Sequence, residues 1–334
     1  MKAKIFCAPK SQTVSLVTAV LALGLFSANA QVQVSEQFNY TGSFLTNSGP
    51  AATSANGGSG WAAASTWSTA NDVATISPGL TYGSLSTSGG ALSVVGGPFA
   101  GTGLNTTTTS IRALNSTLGT MGAANGGVLW MSFLFQGLNL SPSTGIFRQT
   151  SLGFYVGTGE KLDIGIPNIT TANTFNPYLS LWGSSFLAGS PITPGATLSA
   201  STTAANMPLQ STVLGNQGNT LMIVAKLTLD NTTTTGDQIS LWINPSDLSS
   251  APSGAPDITL STALQDLSGI NTIRFSGNNT NATSAAVGGE GIYDEFRIGD
   301  TFADVAPVPE PASIALAIIG GTGVLALIRR RKNS

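Results

Sequence analysis

The residue types in this chain restrict the chemistry open to it. There is no histidine, and the one cysteine, Cys7, lies near the N-terminus. Ser-His-Asp and Cys-His catalysis therefore lack their base. Zinc, haem and iron–sulfur sites built on His or Cys lack their ligands. Acid–base chemistry has to rest on carboxylates, and glycoside hydrolysis needs two of them, about 5–10 Å apart across the scissile bond. The densest acidic stretch is Glu290-Gly291-Ile292-Tyr293-Asp294-Glu295. Asp294 and Glu295 are adjacent, so on a strand they point to opposite faces. Glu290 lies among Gly288, Gly289 and Gly291, a composition that predicts a turn. Strand alternation puts Asp294 with Ile292, Phe296 and Ile298 on a buried face, and pairs Glu295 with Arg297 on the surface. No catalytic residue is assigned, and the expectation is a protein that is not an enzyme.

Binding chemistry has other candidates. Indole rings beside amides and hydroxyls form platforms for sugars. Trp61, Trp67, Trp182 and Trp242 are candidate glycan-binding residues, each with core or rim packing as the competing role. Trp130 lies inside an apolar strand and is expected in the core. Between residues 31 and 308 there are six basic residues against fourteen acidic ones, a net charge of −8. No basic patch exists there to neutralise phosphates, which excludes nucleic acid as a partner.

The elements that would position these residues are strands. Charged residues make up 8% of the chain, against about 25% in ordinary soluble domains, and 40 glycines help fill the difference. Short alternating or apolar runs separated by Gly/Asn/Pro/Thr turns predict strands at Val128–Gln136, Ser151–Gly157, Lys161–Ile166, Tyr178–Trp182, Thr220–Asp230, Gln238–Asn244, Thr272–Gly277 and Ile292–Gly299. The clearest hairpin puts Leu221, Ile223, Ala225, Leu227 and Leu229 on one face. Ile239, Leu241 and Ile243 return on that face, with Trp242 on the other. The expected fold is an all-β, antiparallel sandwich over residues 31–305.

These segments resemble the concanavalin A-like, laminin-G-like (LamG-like) jelly roll of bacterial surface proteins. The resemblance rests on Glu36–Tyr40, Gly60-Trp61, Trp130–Leu134, the Lys226–Pro245 hairpin and Tyr293–Gly299. It implies that the chain ends pair side by side. It also implies a calcium ion as the one cofactor to consider, with Asp230, Asp237 and Asp294 as candidate metal ligands and Asn231 beside them.

Both ends of the chain carry addresses. Lys2, Lys4 and Lys10 precede an apolar run from Val14 to Phe26, and Ala28 and Ala30 precede Gln31 in a small-x-small cleavage pattern. Residues 1–30 are therefore expected to be a signal peptide, handled by the Sec translocon and signal peptidase. At the other end, Val308-Pro309-Glu310-Pro311 leads into an apolar segment over 312–328, then Arg329-Arg330-Arg331-Lys332. That segment is long enough for a marginal transmembrane helix of about 25 Å, held by a basic cluster that stays cytoplasmic. Residues 306–334 resemble the PEP-CTERM sorting signal. The resemblance implies an exosortase partner, transient residence in the inner membrane, and delivery to the cell surface or extracellular matrix, where exopolysaccharide is the expected companion. The function expected is a non-enzymatic glycan-binding or structural module. The alternatives are a secreted glycoside hydrolase or lyase with a carboxylate pair, and a permanently membrane-anchored surface protein.

Overall fold

The computed structural model describes residues 32–40, 57–63, 65–70, 74–83, 87, 89–96, 108–138, 148–166, 180–182, 218–230, 235–279 and 290–306. The expected signal-cleavage residues Ala28, Ala30 and Gln31 lie outside them. So do the sorting motif Val308–Pro311, the apolar segment 312–328 and the cluster Arg329–Lys332. Among the described residues, no helix is long and apolar enough to cross a membrane.

The described chain is all-β, in two antiparallel sheets packed face to face. The eight-stranded sheet runs β12 (Ile258–Gln265), β11 (Thr235–Ile243), β10 (Thr220–Thr228), β6 (Val128–Leu138), β14 (Glu290–Gly299), β4 (Gly90–Val95) and β3 (Ala74–Pro78). β1 (Val32–Glu36) also pairs with β14, so the first and last strands lie side by side. The six-stranded sheet runs β2 (Ser68–Ala70), β5 (Thr108–Ala113), β13 (Thr272–Asn279), β7 (Arg148–Val156), β8 (Gly159–Ile166) and β9 (Ser180–Trp182). Two short helices, α1 (Leu118–Gly122) and α2 (Phe302–Val305), close the ends.

The two sheets bury their faces differently, and this decides where chemistry can sit. In β6, Leu129, Met131, Phe133 and Phe135 face the core between the sheets, while Trp130 and Leu134 face outward. The β10–β11 hairpin does the same. Leu221, Ile223, Ala225, Leu227, Ile239 and Leu241 point inward, and Met222 and Val224 point outward. The outer side of this sheet is apolar too, and Leu80, Phe302 and Val305 cover it as a second core that includes Trp130. The six-stranded sheet alternates instead. Leu152, Phe154, Leu162, Ile164, Ile273 and Phe275 face the core. The positions between them are Ser151, Gly153, Tyr155, Asp163, Arg274 and Ser276, the pattern of a sheet with one apolar and one polar face.

One strand departs from simple alternation. The register of β14 against β6 shifts between Asp294 and Arg297, and Glu295 adopts a left-handed conformation at φ 49°. This bulge puts Tyr293 and Phe296 in the central core, while Asp294 goes outward with Ile292 beneath Leu80. The expectation that Asp294 shares a face with Phe296 and Ile298 is corrected accordingly. Glu295 is buried rather than on the surface, and its Oε2 pairs with Arg297 Nη2 at 2.7 Å. Glu290, expected in a turn, opens the strand and accepts from Ser93 Oγ at 2.6 Å.

Asp294 pins this bulge in place. Its Oδ2 accepts the Leu80 amide at 2.8 Å and its Oδ1 the Glu295 amide at 2.7 Å. Burial pushes its carboxyl from 3.8 up to about 7, with the two amides pulling the other way. The folded state thus holds a proton that the unfolded chain releases. That contribution to stability is complete below pH ~4 and is lost as pH rises through ~7. Asp294→Ala is expected to cost about 1–3 kcal/mol per orphaned amide, with the larger deficit at pH 5 than at pH 8. Urea unfolding at the two pH values reads this directly.

Candidate active site

The polar face of the six-stranded sheet brings together an arginine, a tyrosine and two carboxyl groups. The register of β13, β7 and β8 aligns them in rows: Thr272, Tyr155 and Glu160; Arg274, Gly153 and Asp163; Ser276, Ser151 and Gly165. A register shift at Phe154/Tyr155 passes over Lys161, so Tyr155 lies opposite Glu160. Bulges often re-aim side chains beside functional sites. Gly153 leaves the middle of the face open. A Cβ there would stand 2.6 Å from the Tyr155 ring and 2.7 Å from Asp163 Oδ1. Without it, the ring and the carboxyl close over the strand from either side.

Asp163 is only 3% exposed. Its Oδ1 accepts from Ser151 Oγ at 2.8 Å, and Ser151 Oγ lies 2.6 Å from Ser276 Oγ. Its Oδ2 and the Arg274 Nε are buried without a hydrogen-bond partner among the described residues. The Arg274 guanidinium lies 5.1 Å from the centre of the Tyr155 ring. Tyr155 donates its hydroxyl to Glu160 Oε2 at 3.2 Å. Burial pushes the Asp163 carboxyl well above the usual carboxylate range. The nearby Glu160 adds to the shift, and the Ser151 hydrogen bond and Arg274 only partly oppose it. The Tyr155 phenol is pushed up as well, by burial first and then by the charge of Asp163.

These shifts matter for Arg274. Burial disfavours the charged form of Asp163, which weakens its hold on the neighbouring guanidinium. The ion pairs among the described residues are Arg112–Glu36 and Arg297–Glu295, and Arg274 is in neither. The guanidinium of half-buried Arg274 is therefore a cation beside a proton-bearing phenol, which suits an anionic ligand. Gly153→Ala is expected to displace the Tyr155 ring and Asp163 while leaving the core intact. Near-ultraviolet circular dichroism should change, and any turnover should fall by about 10²-fold, the loss expected from a misplacement of about 1 Å.

The residues singled out in the sequence lie elsewhere, with one exception. Trp61 and Trp67 are buried, their rings 5.2 Å apart, and their indole N–H groups donate to the Ser35 carbonyl and to Glu36. They enclose Arg112, whose guanidinium lies 4.7 Å from the Trp61 ring centre. Glu36 accepts from Arg112, Tyr40, Trp67 and the Phe38 amide, so this cluster is internally satisfied. Trp242 is half-buried on the opposite sheet, stacked on Trp130 at 5.9 Å. Trp182 is the exception only in its backbone, which lies on the edge strand β9 in register with Asp163.

Asp237 accepts the Asp230 amide through Oδ1 and the Leu267 amide through Oδ2. It therefore ties together the strand ends of the β10–β11 hairpin. Asn231 lies outside the described residues. Among the described residues, no three His, Cys, Asp or Glu side chains gather around a point where a metal could sit. Asp230, Asp237 and Asp294 are not brought together. The sequence reading missed Tyr155, Glu160, Asp163 and Arg274. The alternation of three recognised strands turns Tyr155, Asp163 and Arg274 outward, whereas Glu160 comes opposite Tyr155 only through the register shift, and nothing local says that those strands are neighbours.

No family model matches the chain, and no curated protein matches it. Among solved structures, it is similar to an endo-β-1,4-glucuronan lyase from the fungus Trichoderma reesei. The identity is 14%, over 70% of this chain and 90% of that one, with a TM-score of 0.37. It is also similar to the alginate lyase Aly36B, at 11% identity over 80% of this chain and 96% of that one, TM-score 0.44. The alginate lyase vAL-1 from Chlorella virus matches at 8% identity over 68% and 88%, TM-score 0.36. Each of these three is named as a polysaccharide lyase, and the expectation that the protein is not an enzyme is withdrawn.

Proposed function

We propose that this chain is an exported polysaccharide-active enzyme with a concanavalin A-like jelly-roll body, cleaving acidic glycans by elimination on the outer face of its six-stranded sheet. The observation that carries this reading is the Arg274 guanidinium, free of any ion pair among the described residues and set beside Tyr155 and the buried Asp163. Arg274 binds the carboxylate of a uronate ring and so acidifies the proton α to it. Glu160 takes that proton. The C–O bond β to the carbanion breaks as the C=C bond forms, and the Tyr155 hydroxyl gives its proton to the departing oxygen. Glu160, already the acceptor of that hydroxyl, returns the proton to Tyr155. Hydrolysis fits less well, because its two carboxyl groups must flank the glycosidic bond, and Asp163 Oδ1 is already held by the Ser151 hydroxyl.

The ends of the sequence support export. Signal cleavage after Ala30 and exosortase processing near Pro309-Glu310-Pro311 would place the body at the cell surface or in the surrounding matrix. Intact mass of the mature protein tests this: retention of Arg329–Ser334 would refute sorting cleavage. The reaction is tested by incubating the protein with uronate polysaccharides while following reducing ends and ultraviolet absorbance together. Elimination raises both. Hydrolysis raises reducing ends alone, and no turnover on any uronate polymer would sink the enzymatic reading.

A further inference from the structure

We infer that the pocket beside Trp242, on the far side of the sandwich from Arg274, is a second carbohydrate site that takes a neutral pyranose ring. This goes beyond the proposed elimination site and uses none of its residues. The chain leaves β11 at Asn244, in a left-handed conformation at φ 51°, and folds back over Trp242. The resulting pocket has a volume of about 160 Å³ and is lined by Trp242, Pro245, Asp247, Ser250, Ser253 and Gly254 among others. An indole and proline for the apolar side of a sugar, with hydroxyls and a carboxylate for its hydroxyl groups, is a sugar-binding combination.

The platform is already rigid. Trp130 stacks on Trp242 at 5.9 Å with 24° between the planes, and Phe302 meets Trp130 edge-on at 5.4 Å. The Trp242 Nε1–H donates to the Gly254 carbonyl at 3.0 Å and fixes the loop against the ring. Binding there would cost little side-chain ordering. Asp247 is equally set: it accepts from Ser249 N and Ser249 Oγ, both at 2.7 Å, and from Ser250 Oγ at 3.1 Å. A carboxylate has about four acceptor positions, so it can still receive a sugar hydroxyl. The serine donors, Ser249 foremost, hold its carboxyl below the usual range. It therefore stays ionised and repels uronates, the opposite of the charge offered at Arg274. The small volume suits one ring of a longer chain.

The test titrates the full-length protein with neutral β-1,4-linked tetrasaccharides of gluco, manno and galacto configuration, and with alginate tetrasaccharide, following tryptophan fluorescence and calorimetry. At least one neutral tetrasaccharide is expected to bind saturably. Trp242→Ala should weaken that binding by about tenfold or more. Because Trp242 also supports Trp130, a second variant guards against misfolding. Gly254 lines the pocket and a Cβ there meets nothing within 4 Å, so Gly254→Leu adds bulk at the pocket wall without disturbing packing and is expected to abolish binding. Arg274→Ala should leave it intact. Failure of every neutral tetrasaccharide to bind overturns the inference, and so does binding that survives Gly254→Leu. Binding lost in Arg274→Ala also overturns it, by moving the sugar to the other face. A null result in the turnover assay, with this binding intact, would fault the elimination site alone.

Discussion

Arg274→Ala is expected to lower kcat/KM on a uronate polysaccharide by about 10²–10³-fold, the usual loss when a charge-stabilising group is removed from a site. Its unfolding midpoint should hardly move. Arg274 is half-buried, forms no ion pair among the described residues, and sets its guanidinium 5.1 Å from the Tyr155 ring centre. A contact of that kind contributes about 0.5–1 kcal/mol. Arg274→Lys keeps the charge but loses the two-pronged donor geometry, so it should fall between wild type and alanine. Tyr155→Phe removes only the hydroxyl and should cost about 10²–10⁴-fold. A parallel fall in rate and in midpoint would mean that Arg274 is structural. Full activity in Arg274→Ala would remove it from the chemistry.

The second large effect is on stability. Arg112→Met should cost about 3–5 kcal/mol, because it strands a buried carboxylate. For a body of this size that lowers the midpoint by roughly 10 °C. Glu36 is 1% exposed and Arg112 3%, with 2.8 Å between Nη1 and Oε2. Arg112 also donates to the Gly57 carbonyl at 2.7 Å, tying the segment before Trp61 to the sheet. Burial already pushes the Glu36 carboxyl up, against the hydrogen bonds from Tyr40, Trp67 and Phe38 and the charge of Arg112. Without the arginine it rises further. The folded variant then favours protonated Glu36, so its deficit should shrink as pH falls towards the unfolded value of 4.5 and grow as pH rises. Equal deficits at pH 4.5 and pH 7.5 would contradict this account. Adding Glu36→Gln should recover part of the loss, and a double-mutant cycle measures how much.

The strands that the sequence revealed are those whose own residues carry the pattern. In Val128–Leu138 and Thr220–Thr228 most positions are buried, and the β10–β11 hairpin falls on the expected faces. β1 to β5 and β12 were not foreseen. Gly90–Val95 and Ile258–Gln265 mix small and hydroxyl residues, and they are strands because longer neighbours offer them hydrogen-bonding edges. The Glu295 bulge was equally hidden, since no glycine marks its left-handed residue, yet it reverses the facing of all that follows Asp294. Trp61 and Trp67 stand in polar, glycine-rich sequence that suggests a surface. It is Arg112, on the β5 strand that pairs with β2, that lies against both rings and holds them inside. The candidate site needs β13 inserted between β5 and β7, which brings Arg274 beside Gly153 across more than a hundred residues of chain. No periodicity within a strand encodes that adjacency.

The place of β14 also bears on mechanical load. It is bonded to β6 on one side and to β4 and β1 on the other, and the chain leaves the described body a few residues after it ends. A pull applied at that exit first loads α2, whose Phe302 and Val305 pack on the sheet, and then the two rows of cross-strand hydrogen bonds that hold β14. Because β1 and β14 are antiparallel, Val32 stands against Gly299, so the first described residue emerges beside this same exit. A body tethered by its C-terminal end would hang from its most firmly stitched strand, with its amino end lying next to the tether.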